Sequence, residues 1–161
     1  EEKHLQELEE LKREKEESEH QAKLLVLQER AGHKDTHDQL LEELATVYNN
    51  FGSSTKKAGD VEKAILLYQK ALVLKIQVKG ESHVDLSAVQ VNLGSAFLSV
   101  QRLEEAESFF QAAHDSRLKE YGAEHQSTTS AMKWLKKVQS TRAQIAATAE
   151  GEPEAEEREE N

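Results

Sequence analysis

The sequence predicts an all-α fold, an α-solenoid of antiparallel helix pairs, and three observations carry that prediction. Glu, Lys, Leu, Ala and Gln, all good helix formers, dominate most windows of the 161 residues. A single Pro, seven Gly and few β-branched runs leave little material for strands or long loops. The chain also resembles itself after a shift of 42 residues, the mark of a stacked unit that cannot bury its apolar face alone.

The elements follow in order. Glu1 to about Ala31 reads as one long helix, closed by Gly32-His33-Lys34-Asp35. Its first half is strongly charged, with Leu5, Leu8 and Leu11 as a short apolar stripe. Lys12, Lys15 and Glu19 interrupt the heptads that a coiled coil requires, so a solvated extension and a coiled-coil end both stay open. From Ala22 to Leu27 the pattern becomes apolar enough to pack on a body. A second helix runs from about Thr36 or Asp38 to Lys57, and a third from 61 to 78, ending at Lys79-Gly80. Ser82 is placed to cap the next start, with Asp85 in the first turn where the helix dipole favours an acid. That fourth helix reaches about Val100, a fifth spans about 103–119, and a sixth runs from about His125 to Ala147. The chain thus divides into a charged helix over 1–35, a solenoid of about two repeats plus a capping helix over 36–147, and an acidic tail over 148–161. The tail has no apolar face and is expected to be disordered.

The 42-residue shift lays Gly80-Glu-Ser-His83 on Gly122-Ala-Glu-His125, and Asn50-Phe51-Gly52 on Asn92-Leu93-Gly94. It also lays Ala64, Tyr68 and Ala71 on Ala106, Phe110 and Ala113. Each unit is two helices around a tight turn, Gly59-Asp60 in one and Gln101-Arg102 in the other. Gly52, Ala64, Gly94 and Ala106 are the small residues that let paired helices approach. Tyr48, Phe51 and Tyr68, with Leu93, Phe97 and Phe110, fill the space between layers.

These positions resemble the tetratricopeptide repeat. Residues 87–118 carry Leu93-Gly94, Phe97, Ala106, Phe110 and Ala113; residues 45–76 carry Tyr48, Phe51-Gly52, Ala64, Tyr68 and Ala71. The period of 42, the Gly-x-x-His before each first helix, and Asn50 and Asn92 resemble the kinesin light chain and nephrocystin subtype. There are departures: Val84 and Gln126 stand where the family has Pro, Thr55 and Gln90 replace aromatics, and Lys136 stands where Gly or Ala is expected. The last helix therefore reads as a cap. Upstream, Ala22 and Val26 alone match an earlier second helix.

The charge of −10 resolves into two acidic ends and a near-neutral middle. Residues 1–20 carry −5, residues 148–161 carry −6, and residues 21–147 carry +1. Nucleic acid is disfavoured for want of a basic footprint. With no cysteine there is no disulfide framework, thiolate nucleophile or cysteine-ligated metal. No membrane span or leader is visible, and the chain opens on Glu1 rather than methionine, as a piece of a longer protein would.

No catalytic constellation is present: no nucleophile elbow, phosphate loop or HExxH. His33 and His37 are four apart, but no third ligand is fixed, so no metal and no cofactor is expected. His83 and His125 recur at the inter-repeat turn and read as structural hydrogen-bonding groups. An enzyme is not expected. The resemblance implies a scaffold or adaptor whose first helices line a groove for a partner peptide or helical segment. That groove would present Thr46, Asn49, Asn50 and Ser53, then Ala88, Val91, Asn92 and Ser95, then Ser130, Lys133 and Lys137. The carboxylate clamp of co-chaperones is not reproduced. Asn92 fits it, but Asn49, Ser53, Ser130 and Trp134 stand where Lys, Asn, Lys and Arg are needed. Residues 130–142 carry +4 with no acid, and with Lys56 and Lys57 they suit an acidic partner, a tubulin tail, or the chain's own acidic tail. The subtype implies a cytoplasmic setting, with a structural role in a microtubule or ciliary assembly as the alternative to an adaptor.

Overall fold

The computed structural model describes residues 2–30 and 37–150. They form six α-helices and no strand among the described residues: α1 (Glu2–Arg30), α2 (His37–Lys57), α3 (Val61–Lys79), α4 (Ser87–Ser99), α5 (Leu103–Tyr121) and α6 (Gln126–Glu150). The Gly32–Asp35 break and residues 151–161 of the expected acidic tail lie outside the described residues. α6 continues three residues beyond the expected end, into the segment assigned to the tail.

The helix pairs form as the small residues require. A Cβ on Gly52 would sit 2.8 Å from the Tyr68 ring, and one on Gly94 would sit 2.8 Å from the Phe110 ring. α2 with α3 and α4 with α5 thus close on an aromatic ring laid over a bare backbone, and any side chain there would push the pair apart. The pairs turn at Gly59-Asp60 and at Gln101-Arg102. In the first, the Asp60 side chain accepts from the Lys63 amide at 3.1 Å. In the second, Gln101 adopts a left-handed φ of 60° and the Arg102 guanidinium lies 4.6 Å from the Phe97 ring centroid. Gly80 and Gly122 end α3 and α5 at φ 85° and 82°, their amides donating to the carbonyls of Ile76 and Leu118.

Between pairs, the chain enters α4 through a 3-10 turn at Val84–Leu86. The cap here is His83, whose Nδ1 accepts from the Asp85 amide at 3.2 Å, rather than the expected Ser82. His125 repeats the arrangement on Ser127 at 3.2 Å. An imidazole two residues before the amide reaches it without the tight backbone a serine hydroxyl needs. Arg117 then ties the layers together: Nε donates to Ser87 Oγ and Nη1 to the Ser127 carbonyl, each at 2.9 Å.

One core runs through the stack. Tyr48, Phe51, Tyr68, Leu93, Phe97 and Phe110 join Leu135 and Val138 of α6 in a single buried cluster. Trp134 is half-buried and stacks on Phe110, centroids 5.3 Å apart. At the other end α1 lies across α2. Leu24 and Leu27 enter the core, His20 stacks on Phe51 at 5.4 Å, Gln28 Nε2 donates to the Tyr48 hydroxyl at 3.0 Å, and Glu17 pairs with Lys63. The Ala22–Leu27 stretch packs on the body through Leu24 and Leu27, while Ala22 and Val26, the two matches to an earlier second helix, are exposed.

Candidate functional site

The first helices of the pairs, α2 and α4, touch directly through polar side chains. Asn92 Nδ2 donates to Asn49 Oδ1 at 2.8 Å, and Lys56 Nζ donates to Ser95 Oγ at 2.6 Å. α6 continues the row: Lys137 approaches Lys56 and its ammonium sits 5.0 Å over the Trp134 ring centroid. Partial burial first, and the neighbouring Lys137 second, pull the Lys56 ammonium below the ordinary lysine range. Among the described residues neither lysine forms an ion pair with a carboxylate. The surface therefore carries two cations within electrostatic reach of each other, Lys56 on the Ser95 hydroxyl and Lys137 over the Trp134 ring, beside a pair of amides.

The expected groove residues divide into three groups. Asn49, Asn92, Ser95 and Lys137 lie on this shared surface. Ser53 is committed inward: its hydroxyl shares a hydrogen bond with the Tyr68 hydroxyl at 3.1 Å and donates to the Asn49 carbonyl. Thr46 donates to its own helix at the Glu42 carbonyl, and Val91 packs against the core. Asn50 is exposed and lines a shallow polar depression of about 430 Å³ with Lys23, Glu43 and Lys75, apart from Asn92. Lys133 faces a separate hollow of about 290 Å³ beside His114, Met132 and Lys136. Ala88 and Ser130 are exposed. The 42-residue shift equates Asn50 with Asn92, but Asn49 is the one that meets Asn92. Successive first helices stack with a small rotation, so contacts across the step do not follow the repeat register. Lys56 is legible from sequence only as part of a basic patch; its place in the row comes from α2 lying against α4.

His33 lies outside the described residues, and no group of side chains among those described is arranged to hold a metal. No described helix is long and apolar enough to cross a membrane.

A tetratricopeptide repeat family model matches residues 43–119, from the middle of α2 to the end of α5. The match spans 77 of the 161 residues. The repeats account for both Gly-over-aromatic closures, and α1 and α6 flank the matched segment. No curated protein matches the chain. Among solved structures, BtubC (BKLC) from P. vanneervenii shares 19% identity at a TM-score of 0.50, covering 76% of this chain and 55% of that one. This chain thus spans about half the length of BtubC, and the likeness is one of fold. The described helices pack as the successive antiparallel pairs of an α-solenoid.

Proposed function

We propose that the chain is a non-enzymatic scaffold or adaptor that binds an acidic peptide or acidic helical segment of a protein partner along the surface of α2, α4 and α6. The observation that carries this reading is the placement of Lys56 on the Ser95 hydroxyl and of Lys137 over the Trp134 ring, neither with a carboxylate partner among the described residues and the two within electrostatic reach. Two ammonium groups brought together without a carboxylate repel each other in the free protein, and an acidic side chain laid between them removes that repulsion. Asn92 and Asn49 sit one to two turns along the row, where amides can hydrogen-bond an extended backbone. Asn50, Ser53, Val91 and Lys133 contribute at the margins rather than at the centre.

Trp134, the only tryptophan, lies under Lys137 and reports on the site. Titration with a Glu-rich peptide should change its fluorescence, with affinity falling as salt rises. The Lys56→Gln/Lys137→Gln double variant should weaken binding roughly tenfold or more. Equal affinity in the double variant would remove the site. A structural role along a microtubule or in a cilium is the second reading, since the same cations suit acidic tubulin tails. It expects cosedimentation with microtubules that is lost when those tails are cleaved.

A further inference from the structure

The first helix has two faces, and only one of them is used within the chain. Leu24 and Leu27 are buried against α2, with Glu17 and His20 on the same side. On the opposite side Leu8, Leu11, Leu25 and Val26 are 44%, 62%, 60% and 52% exposed. Four large apolar residues on one helix with no cover are unusual for a surface that ends at water. They are also in register. Leu8, Leu11, Lys15, Ser18, Ala22 and Leu25 occupy alternating three- and four-residue steps, the a and d positions of three heptads. The body-facing residues 17, 20, 24 and 27 fall on the c and f positions, away from that seam. Ala22 and Leu25 also rim an open, largely apolar groove of about 610 Å³ between α1 and α3 that includes Leu66.

We propose that this face pairs with the same face of a second copy of the chain, the two α1 helices running antiparallel about a two-fold axis near residues 16 and 17. The sequence is self-complementary in that arrangement. Antiparallel, Leu8 meets Leu25 of the second copy, Leu11 meets Ala22 and Lys15 meets Ser18, each contact occurring twice as an isologous interface requires. On the flank Lys12 meets Glu19, opposite charges. In a parallel, in-register pair Lys15 would face Lys15, and Glu14 would face Glu19 across the flank. Lys12 and Glu19, which leave gaps in the apolar pattern of one helix, thus become partners across two. Because the seam points away from α2, pairing leaves the α2–α4–α6 surface of each copy open, and the dimer presents two such surfaces.

The chain has no cysteine, so introduced ones report cleanly. Sedimentation equilibrium over a concentration series should show twice the chain mass, and Leu25→Glu should weaken association roughly tenfold or more. Leu25 is exposed, so far-UV circular dichroism of L25E should match the parent. Mixed L8C and L25C chains should form a disulfide between unlike copies, while neither variant alone should crosslink to itself. Glu19→Lys should weaken the dimer, and Lys12→Glu added to it should restore it. A chain mass at every concentration, in which case some other protein covers the face, would overturn the proposal. So would L8C-to-L8C crosslinking, or tighter association of Glu19→Lys, which the parallel pair expects.

Discussion

Thr128 and Leu86 hold the same place in successive repeats, and the hydroxyl does not suit it. Both side chains are almost wholly buried, yet Thr128 Oγ1 has no hydrogen-bond partner, and neither does Oε1 of buried Gln90. A buried unpaired hydroxyl costs about 1–3 kcal/mol, which an isosteric methyl does not. Thr128→Val should therefore stabilise the chain by about 1 kcal/mol in urea denaturation with the m-value unchanged. At Lys56 the sign runs the other way from an ordinary surface lysine. Its folded-state pKa lies below 10.5 because burial and Lys137 both oppose the charge. The cost is fully present at neutral pH, where folded and unfolded chains are both protonated. It shrinks as pH rises through the folded pKa towards 10.5, because the folded chain releases its proton first. Lys137→Gln should move the Lys56 titration, followed by side-chain NMR, back up towards the ordinary lysine value. A midpoint unmoved by that substitution would mean the two ammonium groups do not sense each other.

The helix pairs were readable in the sequence because a Gly facing an aromatic ring admits few substitutes and therefore recurs. Gly52 with Tyr68 and Gly94 with Phe110 mark both pairs, and their spacing places α2 to α5 to within a few residues. Contacts between pairs were not readable in the same way. The α2–α4 step joins Asn49 to Asn92 and Lys56 to Ser95, neither at the repeat period, because polar groups on exposed ridges meet wherever the stacking rotation brings them. The first helix shows the same limit, since the motif identifies Ala22 and Val26 while Leu24 and Leu27 make the buried contact. Burying a leucine side chain stabilises by about 1.5–3 kcal/mol, so those two hold the helix to the stack. Leu24→Ala/Leu27→Ala should speed amide exchange throughout α1 while α3 to α5 stay protected. Retained protection in α1 would show that His20, Gln28 and the Glu17–Lys63 pair suffice.

Two repeats are fewer than the roughly three that a stable stack usually needs, and the molecule makes up the difference at its ends. Leu24 and Leu27 of α1 close the core on one side, and Leu135 and Val138 of α6 close it on the other. Closing the stack with α6, which packs on α5, also brings Lys137 within electrostatic reach of Lys56. In the proposed reading, stability and recognition share one element. The most direct test is an amide and lysine NMR map of the chain during titration with a Glu-rich peptide at low salt. Shifts centred on Lys56, Asn92, Ser95 and Lys137 are expected, absent in Lys56→Gln/Lys137→Gln. Shifts confined to α1 and the outer faces of α3 and α5, unchanged in that variant, would contradict it.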